Sequence, residues 1–203
     1  MLVLTARSIR IGSLALAMAA TAVVATPSLA VDLYSQNFES VTLGPIVTYQ
    51  VMQRERAAWT ATPPTGMVVN NSLMPGGVLA DPNEGVTEFE GWTFVDKAWW
   101  IATAGDQGRS GFVSGLGKIA VADNDTHDDW GNPDAQGPFD STLSTPSISL
   151  AGAAANTVNL NFHSSWVPEE IQKATVTARY NNGATVEVLR WHSPLADPNF
   201  HDT

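Results

Sequence analysis

The chain has no cysteine among its 203 residues, few basic side chains, and hardly any stretch with helical periodicity. Each shortage excludes something. Without cysteine no disulfide can staple an exported domain, so the fold must rest on its own core or on bound metal. Ten Lys and Arg stand against twenty Asp and Glu, for a formal charge of −10. Such a surface repels phosphate backbones and anionic lipid, so nucleic acid is not an expected partner. Past residue 30 the best helix candidate is the short Val51–Trp59 stretch, and no long apolar run follows that would cross a membrane.

What is present begins at the N-terminus. Met1 to Arg10 carries Arg7 and Arg10 and no acid, Ile11 to Ala25 is almost wholly apolar, and Ser28-Leu29-Ala30 places small residues at the −3 and −1 positions of a cleavage site. This pattern predicts a signal peptide helix over 1–30 and a secreted or cell-surface product starting near Val31. Residues 31–203 keep twenty acids and eight bases, a charge of −12. In an extracellular setting that balance serves solubility, and clustered carboxylates also suit calcium.

Along 31–203 the pattern is short segments of alternating apolar and polar residues broken by Gly, Pro, Asn and Asp, the signature of an all-β sandwich or barrel in one domain. Strands are expected at Leu33–Glu39, Lys118–Ala122, Leu143–Leu150, Thr157–Ser164, Ala174–Tyr180 and Thr185–Trp191. The last two flank Asn181-Asn182-Gly183-Ala184, a tight-hairpin signal. Pro146 belongs at an edge or a bulge. The Pro- and Gly-rich region Thr60–Gly91 reads as long loops with short strands, where function often resides. Ser193–Thr203 is polar with no closing strand behind it, which predicts a fold incomplete at its C-terminus.

Three segments carry a family resemblance: Tyr34-Ser35-Gln36-Asn37-Phe38-Glu39, Ala120-Val121-Ala122-Asp123, and Phe139 to Leu150 followed by Val158-Asn159-Leu160-Asn161-Phe162. Together they resemble bacterial jelly-roll modules of the concanavalin-like class, which includes MAM-type and cleaved-adhesin-type domains. The resemblance spans most of 33–191 and implies an antiparallel two-sheet jelly-roll sandwich. It implies a structural calcium held in part by Glu39. It also suggests a module of the kind appended to extracellular hydrolases, metallophosphoesterases among them, although fold alone does not set function.

The densest polar run, Asp123 to Asp140, holds six carboxylates, and no Lys or Arg occurs from Ile119 to Gln172. Asp123, Asp125 and Asp128 offer hard oxygen ligands at loop spacing, although His127 in the fifth place rejects an EF-hand. Tryptophans supply a second constellation. Trp99, Trp100 and Trp130 are the candidates for stacking on a sugar ring, with Trp130 and one of the adjacent pair expected to be exposed if that pair lies in a strand. Catalytic signatures are weak. Gly105-Asp106-Gln107-Gly108 lacks the His and Asn ligands a phosphoesterase needs, and there is no G-x-S-x-G, H-E-x-x-H or phosphate loop. No catalytic residue is assigned. The expected role is a secreted module binding carbohydrate or another extracellular ligand. The alternatives are part of a secreted hydrolase or a purely structural adhesion domain.

Overall fold

The computed structural model describes residues 31–44, 47–48, 55–73, 89–103, 105–125, 139–168, 171–181 and 183–195. The signal segment 1–30 lies outside the described residues, as do Asp128 and Trp130. In chain order the strands are β1 (Val47–Thr48), β2 (Glu55–Arg56), β3 (Trp59–Thr60), β4 (Val68–Asn70) and β5 (Trp92–Asp96). Helix α1 (Lys97–Thr103) follows, then β6 (Lys118–Ala122), β7 (Thr142–Ser144), β8 (Lys173–Arg179) and β9 (Thr185–His192). Every pairing is antiparallel: β1 with β2, β3 with β5 and β5 with β6, β4 with β7, and β8 with β9. The architecture is all-β in character, α1 and a helical start at Asn124–Asp125 being the α-helical parts among the described residues.

Period-two alternation in β5 and β6 explains where the core sits. Trp92 and Phe94 point to one side, opposite Ala122 and Ala120 of β6, while Val95 faces the other side opposite Ile119. The pairing of large rings with alanines lets the first face accept further aromatic cover. Phe38, Val41 and Met67 lie over it, joined by Val69, Leu143, Val176 and Trp191 from β4, β7, β8 and β9. The second face is covered by Ala58, Phe89, Trp99, Trp100 and Phe112. The central sheet is therefore buried on both sides, and a side chain such as Phe94, with no exposed surface, contributes about 1.5–3 kcal/mol.

Several expected strands differ, each for a local reason. Leu33–Glu39 forms no strand, because the Gln36 Oε1 and Asn37 Oδ1 atoms accept the backbone N–H groups of Phe38 and Glu39. Such short-range bonds compete with a sheet ladder. Phe38 instead adopts φ 63° and its carbonyl accepts Val41 N–H at 3.0 Å. The segment Thr157–Ser164 likewise has no ladder; the Thr157 hydroxyl donates to Ala154 O and the Asn159 amide to Thr157 O. The expected Leu143–Leu150 strand contracts to β7 and stops two residues before Pro146, which lacks an N–H to continue it.

The Val51–Trp59 helix is not found in its described part, where Glu55–Arg56 and Trp59–Thr60 are extended and paired. The region after it does consist of loops with a short strand, β4, within its described part. β6 and the β8–β9 hairpin stand where the alternation places them. Asn181 takes φ 48° at the hairpin tip, and Gly183 N–H closes the turn on Tyr180 O at 2.9 Å. A register shift at Val176/Thr177 leaves Val188 without an opposite residue, a bulge that strengthens local twist.

Candidate functional site

The polar cluster that matters in the described chain forms where β6 ends. Ala122 lies at the terminus of a buried strand, so Asp123 immediately after it is carried into the interior, 6 % exposed. A carboxylate there requires partners. Trp100 Nε1 donates to Asp123 Oδ2 at 2.7 Å, and Arg109 donates to the same oxygen from Nη2 at 2.9 Å and from Nε at 3.2 Å. Arg109, itself 4 % exposed, also reaches Asp125 Oδ2 from Nη2 at 3.4 Å and Gly105 O from Nη1 at 2.9 Å. Its guanidinium carbon lies 5.2 Å from the Trp100 ring centre, a stacked cation arrangement.

Two local structures aim these groups. Asp96, the last residue of β5, accepts Trp99 N–H at 2.7 Å. This is an N-cap bond, and it starts α1, turning Trp99 and Trp100 inward. Arg109 stands at the head of a single 3-10 turn, Arg109–Gly111, entered through Gly108 at φ 84°. Asp106 fixes that turn, its carboxylate accepting both the backbone N–H and the hydroxyl of Ser110. The Ser110 hydroxyl above all, then its backbone N–H, holds the Asp106 carboxyl below the usual carboxylate range. The Gly-Asp segment that suggested a phosphoesterase is thus the brace of a turn.

The space bounded by Trp100, Gln107, Arg109, Asp123, Asn124, Asp125 and Val167 amounts to about 40 Å³. A water needs roughly 10–15 Å³, so this crevice admits water and excludes a sugar ring. Trp99 and Trp100 are 4 % and 1 % exposed. The expectation that one of them faces solvent as a stacking platform is therefore corrected. They lie in a helix, not a strand, and both turn into the core. Trp166 is also buried, its ring 6.1 Å from that of Trp191.

The expected calcium ligands are similarly engaged. A dication at Asp123 would have to displace a guanidinium already sharing that oxygen, and Asp125 faces the same guanidinium. Glu39 cannot join them. It accepts Lys118 N–H at 3.0 Å at the opposite end of β6, five residues away at about 3.3 Å per residue. Its carboxylate also occupies the space a side chain at Gly117 would need, where φ is 62°. No group of three or more His, Asp or Glu suited to a metal occurs among the described residues. The side chains present do not fit the ion at Asp123.

Superimposable thermal melts with and without millimolar calcium are the outcome expected from the described carboxylates, Asp123, Asp125 and Glu39; Asp128 lies outside the described residues. A metal held by the native state alone at a hundredfold excess over its dissociation constant would add about 2.7 kcal/mol. A rise of that size would restore a metal role to the Asp125–Asp128 stretch. Arg109, the residue that organises the cluster, was invisible to the sequence reading because it lies outside the base-free span Ile119–Gln172. A useful signal was available in the Asp96–Trp99 capping spacing, which announces α1. No protein-family model matches the chain, and neither a curated protein nor a solved structure does so.

Proposed function

We propose that the chain is an exported, non-catalytic binding module of the jelly-roll sandwich class whose ligand is carbohydrate. The observation that carries this reading is how six of the described carboxylates are used. Asp123 and Asp125 share Arg109, Asp96 caps α1, Asp106 braces the turn at Ser110, Glu39 receives Lys118 N–H, and Glu187 pairs with Arg190. Each serves the fold, whereas glycoside hydrolysis needs two carboxyl groups facing each other across an open cleft. The acidic surface disfavours anionic ligands and leaves neutral ones. The layering of β4, β7, β8 and β9 over one face of the central sheet supports a sandwich.

A glycan array probed with the purified protein tests the reading. Retention on neutral glycans, without release of reducing sugar from them, is the expected outcome. Release of reducing sugar would replace the binding module with an enzyme, and a blank array would remove carbohydrate from the account.

A further inference from the structure

Two turns face each other across an open cleft of about 270 Å³, lined by Ser40, Val41 and Thr42 on one side and Thr62, Pro63, Pro64 and Thr65 on the other. We infer that this cleft is the sugar-binding site, taking a single neutral pyranose ring; the inference rests on the carbohydrate reading above. Four observations converge on it. The lining contains no ionisable side chain, although the chain carries −10, so the cleft suits an uncharged ligand. Val41 and Pro64 are the buried, apolar members of the lining, while Ser40, Thr42, Thr62 and Thr65 are exposed at the rim. That division matches a sugar, whose C–H face is apolar and whose edge is a ring of hydroxyls.

The rim hydroxyls are available. Among the described residues no hydrogen bond engages the side-chain oxygens of Ser40, Thr42, Thr62 or Thr65, whereas those of Ser110, Ser141 and Thr157 donate to protein acceptors. Finally, both walls are held in place. Lys118 Nζ donates to Glu39 O at 2.9 Å and to Val41 O at 2.6 Å, tying the first turn to β6. Met67 N–H donates to Pro64 O at 2.9 Å, and Gly66, at φ 83°, lies so close to Pro146 that an added Cβ would stand 3.2 Å from its ring. Walls fixed before binding lose little freedom on occupancy, which favours affinity from few contacts. Ligand pockets for larger molecules span roughly 300–1,000 Å³, so the size selects one ring and not an oligosaccharide. A free monosaccharide and the terminal residue of a surface glycan share this chemistry.

The test uses Thr42→Val and Thr62→Val, which keep side-chain shape and remove the hydroxyls. Neutral monosaccharides (glucose, galactose, mannose and N-acetylglucosamine) are titrated in solution, and the same sugars are presented as immobilised terminal residues. The double variant is expected to melt like the parent and to bind the preferred sugar about tenfold more weakly, since each hydroxyl supplies an ordinary hydrogen bond. Amide shifts in the parent on titration should centre on residues 40–42 and 62–65. Binding in both formats identifies a receptor for free sugar, and binding only to immobilised sugar identifies a glycan end; either supports the site. Undiminished binding by the double variant, with shifts elsewhere, overturns the site and leaves the carbohydrate reading standing. No binding by the parent to any sugar overturns both.

Discussion

Arg109→Ala is expected to lower the unfolding free energy by about 3–5 kcal/mol, because it leaves Asp123 buried without its main charge partner. Of the three donors seen on Asp123 Oδ2 among the described residues, two come from Arg109 and one from the Trp100 indole. Gly105 O also loses its donor. Domains of this kind have about 5–15 kcal/mol in total, so urea melts of the variant should shift far to lower denaturant. The pair itself need not be strongly stabilising, since desolvation of both ions offsets much of their attraction. The double variant Arg109→Met/Asp123→Leu should therefore regain most of the loss. A single-variant cost under about 1 kcal/mol, the range of exposed pairs, would mean that solvent reaches the cluster.

Phe94→Ala is expected to cost a similar amount, about 3–5 kcal/mol, by opening a cavity between the central sheet and its cover. Phe94 has no exposed surface, lies tilted against Phe38 with ring centres 5.7 Å apart and sits opposite Ala120, which is too small to fill the gap. The contrast is Val186→Ala on β9: Val186 is 62 % exposed, and surface changes stay within about 0.5 kcal/mol. Guanidinium unfolding of the two variants side by side measures both. Equal costs would show that the hairpin, and not the central sheet, bears the core.

Alternation made β6 and the β8–β9 hairpin legible, because Lys118–Ala122 and the segments around Asn181 obey a period of two with a turn signal between. It misled where polar side chains bond their own backbone. Gln36, Asn37, Thr157 and Asn159 turn apparently alternating segments into irregular chain. The Trp99–Trp100 pair was misread because Lys97–Thr103 is only seven residues long, shorter than the window over which helical periodicity declares itself. The buried cluster could be half seen. Asp123 and Asp125 were picked out as chemically notable, but their partner comes from 14 and 16 residues upstream, and a linear reading assigns such a pair only by accident. The cleft at residues 40–42 and 62–65 offers the least signal of all, since Ser, Thr and Pro are ordinary loop residues until two turns bring them together.

That cleft is electrically silent, and its silence has a practical result. Contacts that rely on full charges fade within about 10 Å at 0.1 M salt, whereas hydroxyl and apolar contacts do not depend on counterions. A ligand seated between Thr42 and Thr62 would be held as firmly in brine as in fresh water, and as firmly at mildly acid as at neutral pH.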